Sequence, residues 1–334
     1  MKFGMFVMNQ HALGDDPAER WEEHLEQVRL IRDLGFHSVW CGQHYLTEGV
    51  WMMQTWPSVA QVAAHAGDMT VGTGILLLAL HNPVDVAEQV ATLDAMTKGR
   101  FVLGVGLGYR EPEYRAFGLT KPYRVKAFEE KLEAVTRLLE EGTLDYAGEV
   151  VKLEDVKLTM RPIQRPRPPI WIAANGDGAV KRAARMGEAW FLNPHARFDT
   201  LKRQMEMFHA EREAAGKGAP EATPVIKEMF IGKDRESAFR ECADYLAVKY
   251  DVYVKWGQSE ALPSSDTLRM PLDELRSDRF LIGSAKDVAE DIRRHRDELG
   301  VDHMAFRVQW PGMPQELVLR TLERFAKEVM PEFV

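Results

Sequence analysis

The feature that most limits how this chain can fold is a rhythm. Short β-rich apolar runs alternate with longer segments of helical period, and the alternation occurs eight times. The runs are KFGMFVM (2–8), HSVWC (37–41), TVGTGILL (70–77), FVLGVG (101–106), PIWIAA (169–174), AWFL (189–192), PVIKEMFIG (224–232) and DHMAFRV (302–308). Repeated βα units around a parallel sheet give this pattern. The segments between them read as amphipathic helices. In WEEHLEQVRLIRDLG, Leu25, Val28, Ile31 and Leu34 form one apolar stripe and Gly35 ends it.

Eight βα units can close into a (β/α)8 TIM barrel, and 334 residues with 45% apolar side chains suffice for one such domain over 1–334. A doubly wound open sheet is the competing architecture, with GVGLG (104–108) as its dinucleotide loop. The spacing argues against it, because Tyr109 stands where the third glycine of GxGxxG would have to be. Two insertions interrupt the rhythm. Residues 143–168 alternate like a small hairpin and then turn Pro-rich. Residues 255–280 are polar and Pro/Ser-punctuated, and read either as a lid or as a surface excursion.

A formal charge of -8 offers no attraction for phosphate backbones or anionic lipid, so neither nucleic acid nor a membrane surface is expected as a partner. The longest internal apolar run, ILLLAL, is far too short to span a bilayer. Cys41 and Cys242 are too few for a disulfide framework and form no CxxC pair. A soluble, cytoplasmic protein without a targeting segment is the expectation.

In barrels, chemistry collects at the carboxyl ends of the strands. Four stretches fall there. WCGQHYLTEG (40–49) places His44 just past the second strand, where an imidazole can take or give a proton near neutral pH. AANGDGAVKRAARMG runs a glycine-rich turn straight into a helix, so backbone N–H groups from Asn175 to Ala179 can face an anion; the alternative is that Asp177 only caps the helix. In GVGLGYREPEYRAFG, glycines allow a planar ring to approach the backbone, and Arg110 either serves a phosphate or is a rim residue paired with Glu111 or Glu113. GVWMMQTW offers Trp51, Met52, Met53 and Trp56 as an apolar pocket or as plain packing. His37, His65, His81, His195, His209 and His303 show no metal-ligand spacing, so no metal is expected, and there is no GxSxG elbow.

Longer motifs are more specific. MKFGMF, GFHSVW, QHYLTEG, the gap-free run VGTGILLLALHNPVDVAEQVATLDAMTKGRFVLGVGLGYREPEYRAFG, RPPIWIAANGDGAVKRAARMG and the C-terminal IGSAKDVAEDIRRHRDELGVDHMAF together resemble the luciferase-like flavin-dependent monooxygenase family. The resemblance implies a barrel that binds reduced FMN, or in some branches a 5-deazaflavin coenzyme, at its carboxyl face. It implies that His44 is catalytic beside the flavin ring and that a non-proline cis peptide joins Gly74 to Ile75. Cofactor contacts are then expected from Gly74, Ile75, Gly106, Arg110 and the run Ala174, Asn175, Gly176, Asp177, Gly178 and Ala179. Tyr45, Trp51, Met52, Trp56 and Tyr109 are expected to line a substrate pocket.

Departures from the luciferase α chain point to a non-luminescent member. Gly106 replaces its reactive cysteine, Leu107 its phosphate-binding arginine, Asn175 and Gly176 its glutamate and serine, and Tyr45 its second histidine. The expected activity is oxygenation of a small hydrophobic substrate by a flavin hydroperoxide in a dry pocket, with reduced FMN supplied by a separate NAD(P)H:flavin reductase. A deazaflavin-dependent dehydrogenase and a non-catalytic flavin-binding protein are the alternatives, and a homodimer is the expected assembly.

Overall fold

All eight expected strands form, and they close on themselves. The computed structural model describes residues 1–7 and 10–333; Met8, at the end of the first expected strand, lies outside them. In chain order the strands are β1 (Lys2–Val7), β2 (Ser38–Cys41), β3 (Thr70–Thr73), β4 (Leu76–Leu77), β5 (Phe101–Gly106), β6 (Thr143–Ala147), β7 (Lys152–Lys157), β8 (Ile170–Ala174), β9 (Ala189–Leu192), β10 (Pro224–Ile231), β11 (Leu281–Gly283) and β12 (His303–Arg307). The parallel order β1-β2-β3-β5-β8-β9-β10-β12 returns to β1 through pairings such as Val225 with Leu192 and Lys2 with His303. The result is a (β/α)8 barrel.

The helices are α1 (Pro17–Asp33), α2 (Thr55–His65), α3 (Pro83–Met96), α4 (Glu111–Ala116), α5 (Arg124–Glu141), α6 (Asp177–Met186), α7 (Phe198–Ala214), α8 (Arg235–Lys255), α9 (Leu272–Leu275), α10 (Ala285–Leu299) and α11 (Gln315–Arg324). Local chemistry sets their ends. Asp16 accepts from the Ala18 and Glu19 N–H groups ahead of Pro17, and Gly35 leaves α1 at φ 82°.

Large aromatic side chains fill the barrel's interior. Trp40 and Trp171 stack with centroids 4.9 Å apart, and Phe6, Phe191 and Ile226 pack around them. Trp40 fits because Gly72 has no side chain: a Cβ there would lie 2.3 Å from the indole. This plug closes the barrel below and leaves its carboxyl end open to side chains from the loops.

Four local features differ from the expected elements or refine them. The third strand, expected as one run over 70–77, is split into β3 and β4 around a cis peptide between Gly74 and Ile75. The expected hairpin is present as β6 and β7, tied to α5 by Glu130, which accepts from the Glu149, Val150 and Val151 N–H groups. β11 has no counterpart in the eight runs; its three residues extend the sheet beside β10 through Met229 and Leu281. The 255–280 segment is ordered, with Leu262, Leu268 and Leu275 buried in the main core. Asp266 anchors it by pairing with the buried Arg279 and by accepting from Arg197 N (2.8 Å) and Thr200 Oγ1 (3.0 Å).

Candidate active site

A cavity of about 470 Å³ opens at the carboxyl end of the barrel. Its floor is formed by Phe6, Gly74, Ile75, Gly106 and Ala173, and residues Gly257, Gln258 and Ala261 of the 255–280 segment reach its wall. The glycines of the fifth-strand motif are demanded by neighbouring backbone and side chains. A Cβ on Gly104 would lie 1.9 Å from the Thr73 carbonyl oxygen, and one on Gly106 would lie 2.3 Å from Ile75 Cδ1. Ile75 therefore comes forward into the cavity.

His44 sits on the loop after β2 and faces this space. Its Nδ1 lies 3.0 Å from Glu113 Oε1, and an ionised carboxylate only accepts, so Nδ1 is the donor in this contact. Glu113 starts in α4, is 1% exposed, and also accepts from Tyr45 N (2.9 Å) and Arg110 Nη1 (3.2 Å). Burial pulls its carboxyl up, and the hydrogen bonds and charges of His44, Tyr45 N–H and Arg110 outweigh that, holding it below its ordinary value. Gln43 locks the same loop to β4: its Oε1 accepts from Leu77 N and His81 Nε2, both at 2.9 Å.

At the other end of the cavity, Ala174, Asn175, Gly176, Gly178 and Ala179 line the turn that begins α6. The first N–H groups of a helix generally lack intrahelical partners and carry a partial positive charge; here Ala179 N already donates to Gly176 O at 2.9 Å, which leaves the N–H groups ahead of it for an anion. Lys121, Arg124 and Arg182 stand around the same end. Among the described residues Arg124 Nε has no partner and neither Lys121 nor Arg124 joins a salt bridge, whereas Arg182 is paired with Glu129. These donors make the turn a candidate anion cradle.

The structure thus brings His44, Gly74, Ile75, Gly106, Met52, Tyr109 and the 174–179 turn to one cavity, but not every expected residue. Arg110 is not among the cavity-lining residues: its guanidinium is buried, donates to the Tyr45 and Leu46 carbonyls and to Glu113, and lies 4.2 Å from the Trp256 ring, which is the pairing alternative and not the phosphate contact. Asp177 points away from the wall and is held bidentately by Arg203 and by Gln204. Tyr45 packs against Phe117, Trp51 stacks on His11, and Trp56 lies beside His81, all behind the cavity wall.

Sequence reasoning missed Lys121, Arg124, Arg182, His195, Tyr253 and Arg307, all of which line the cavity. Arg307 did leave a signal, since it is a charge between the apolar residues Phe306 and Val308 of the DHMAFRV run. Arg182 lies one helical turn from Gly178 and so shares its face. Lys121 and Arg124 gave none, because the loop that carries them reaches the turn only through the tertiary fold. Among the described residues no cluster of three or more His, Cys, Asp or Glu side chains is arranged to hold a metal ion, and no helix is long and apolar enough to cross a membrane.

A (β/α)8 barrel whose mouth joins a candidate anion cradle to a carboxylate-held imidazole is an enzyme scaffold with room for a phosphorylated cofactor. Comparison with known proteins makes the class definite. The chain belongs to the luciferase-like monooxygenase family, whose model matches residues 1–303, and it is an oxidoreductase of that family.

Among the relatives is the oxygenase component of a flavin-dependent trigonelline monooxygenase from Acinetobacter baylyi, 23% identical with 100% of this chain and 96% of that protein covered. Another is an F420-dependent glucose-6-phosphate dehydrogenase from Amycolatopsis mediterranei, 25% identical with 92% and 93% covered. Monooxygenase RslO1 from Streptomyces bottropensis superposes over 100% of both chains with a TM-score of 0.88 at 23% identity. The oxygenating constituent of 3,6-diketocamphane monooxygenase from Pseudomonas putida, solved with FMN, superposes with a TM-score of 0.82 at 16% identity over 100% and 99% of the two chains.

Proposed function

We propose that this protein is the oxygenating component of a two-component flavin monooxygenase, taking reduced FMN from a separate NAD(P)H:flavin reductase and using O₂ to oxygenate a small, largely hydrophobic substrate. The observation that carries this reading is that one cavity joins the α6 cradle to the Glu113-held imidazole of His44. The residues fit such a cofactor. Lys121, Arg124, Arg182 and the backbone from Asn175 to Gly178 would hold its phosphate, and Gly74, Ile75, Gly106 and Ala173 would support its ring. Bound reduced flavin supplies the electron pair for oxygen activation.

The chain's own groups do the rest. Nε2 of His44 accepts or returns a proton at the reacting centre, while Glu113 keeps the ring in one tautomer and one orientation. Met52, Leu77, Phe191 and Ile226 give the space apolar surface, and residues 257–261 cover one side of it, which together exclude water. Support for the cofactor and the reductase comes from the relatives named as flavin-dependent, as an oxygenase component and as an FMN complex.

A second reading, a deazaflavin-dependent dehydrogenase, draws on the relative named for F420 at comparable identity. Anaerobic titration with reduced FMN and with reduced deazaflavin, followed by admission of O₂, separates the two. The monooxygenase reading expects tight FMN binding and an oxygen-dependent spectral intermediate. Tight deazaflavin binding with indifference to oxygen overturns it, and tight flavin binding with no turnover of any substrate makes the protein a flavin carrier. The reading includes a homodimer, which sedimentation equilibrium checks.

A further inference from the structure

The wall facing the α6 cradle includes Gln10, Arg307 at the end of β12 and Tyr253 of helix α8. In the closed strand order, β12 stands opposite β5 and β1 opposite β8, whose following turn is the cradle. Arg307, the last residue of β12, faces the cavity from that wall. Its guanidinium lies over the Phe6 ring, 4.3 Å from the centroid, and donates through Nη1 to the Tyr253 hydroxyl oxygen at 3.2 Å.

Among the described residues no carboxylate pairs with Arg307, and its Nε has no partner. Glu228, the acidic residue whose charge reaches it, is already held by Lys249 and by Trp310 Nε1. Met8 and Asn9, which precede this wall in sequence, carry no charge.

The neighbours of Arg307 offer more donors. Tyr253 Oη receives a hydrogen bond from Gln10 Nε2 at 2.9 Å as well as the one from Arg307, so both its lone pairs are used and its own proton is free to donate elsewhere. Tyr109 and Gln258 line the same cavity, and Tyr109 Oη and Gln258 Nε2 have no partners among the described residues. Buried charges and polar groups are ordinarily paired. Here a cation and several donors converge on a space whose one lining carboxylate among the described residues, Glu260, is already paired with Arg269, and the surfaces beside them, Phe6, Phe191 and Ile226, are apolar.

We propose that Arg307, with Tyr253 beside it, anchors an anionic oxygen of the substrate, and that the substrate is therefore an apolar ring compound bearing an ionisable oxygen: a phenolate, enolate or carboxylate. The guanidinium supplies charge and planar donors that Lys cannot reproduce in the same geometry. The anchor leaves the rest of the substrate on the apolar side of the cavity, with His44 nearby: Tyr253 lies 6.3 Å from the His44 ring, centroid to centroid. This inference rests on the reading of the cavity as a flavin-dependent oxygenase site, with the flavin phosphate at the α6 turn across from Arg307.

The probe is 4-nitrophenol, whose absorption band moves to longer wavelength on ionisation, with nitrobenzene as its uncharged counterpart. Both are titrated into FMN-loaded and FMN-free protein. The wild type is expected to bind the ionised probe, Arg307→Met to bind it about tenfold or more weakly, and nitrobenzene to bind both within about twofold. FMN affinity is expected to be unchanged by the substitution. Arg307→Lys, which keeps the charge and loses the fork, reads the same comparison if the methionine variant does not fold.

Absence of nitrophenolate binding by the wild type, or equal binding by wild type and variant, overturns the proposal. So does a loss of FMN affinity in Arg307→Met with nitrophenolate binding retained, because the anchored oxygen is then the cofactor's own. If no flavin binds the wild type but the nitrophenolate difference persists, the proposed function fails while the anion anchor stands.

Discussion

The two walls of the cavity treat buried charge in opposite ways. On the β2 side, Arg110, Glu113 and His44 form a closed set in which one carboxylate, 1% exposed, meets a guanidinium, an imidazole and a backbone N–H. On the β12 side, Arg307 meets a phenol oxygen and an aromatic face but no carboxylate among the described residues. A satisfied network fixes geometry, since every donor has a defined acceptor, whereas an unsatisfied one is completed only by a ligand. On the proposed reading the first wall orients a proton-transfer group and the second takes up an anion. Two buried arginines, Arg110 behind the cavity wall and Arg307 on it, thus differ in whether a carboxylate lies within reach.

The comparison breaks most sharply at His44. His44→Ala is expected to lower kcat by about 10² to 10⁴, the range for a positioned acid-base group, while leaving FMN affinity nearly unchanged. Stopped-flow turnover and a flavin titration check it. A variant that turns over at the wild-type rate would move the chemistry to the other wall.

Glu113 sharpens the same wall. Glu113→Gln removes the anion but leaves Arg110 buried, which costs about 3–5 kcal/mol in comparable broken pairs, and Arg110→Met in the same chain is expected to recover part of it. The pH dependence has a defined sign. The folded-state pKa of Glu113 is below its ordinary value, so its contribution is fully present above the usual carboxylate range and is lost as pH falls through the lowered value. The Tm difference between wild type and Glu113→Gln should be flat from neutrality down to that range and shrink below it. A difference that already shrinks near neutral pH would contradict an ionised Glu113.

At the α6 end, Lys121→Met with Arg124→Met should weaken FMN about tenfold or more, from the loss of two charged partners, with less effect on riboflavin, which lacks the phosphate. Equal losses for both ligands would place the phosphate elsewhere.

How much of this was legible in the sequence follows from the range of the interactions involved. The strands were readable because each is a local apolar run, and even the cradle was visible because a glycine turn running into a helix is a local signal. The three residues of β11 carry no period, and they are a strand only because β10 offers its edge to them. Arg110 shows the limit most plainly. Its chemistry allowed a phosphate contact, and one of its two sequence readings was a pairing with Glu111 or Glu113. The deciding acceptors, Tyr45 O and Leu46 O, lie more than 60 positions away in the chain. Long-range hydrogen bonds of that kind, like the approach of Lys121 and Arg124 to the α6 turn, are set by barrel closure and not by spacing.

The smallest expected effect concerns His195 on the far wall. Burial first, then the positive charges of Lys249 and Arg307, hold its pKa well below the ordinary value, and its Nδ1 has no partner among the described residues. As pH falls through about 6.5, the unfolded chain takes up a proton there that the folded protein refuses, so stability is lost toward acid pH. His195→Gln should flatten that loss when Tm is followed from pH 7.5 to 5.5, a window set by the ordinary imidazole value. The flattening is partial, because His11 and His81, each lowered to about 4, and His24, lowered to about 3, contribute the same sign. If Arg307 does hold an anionic substrate oxygen, benzoate, whose carboxylate stays ionised across that window, should reduce the acid sensitivity that His195 confers, since one of the charges opposing its protonation is then neutralised. An acid slope unaffected by the ligand, with binding demonstrated, would separate the two groups and reduce the far wall from one electrostatic unit to two independent residues.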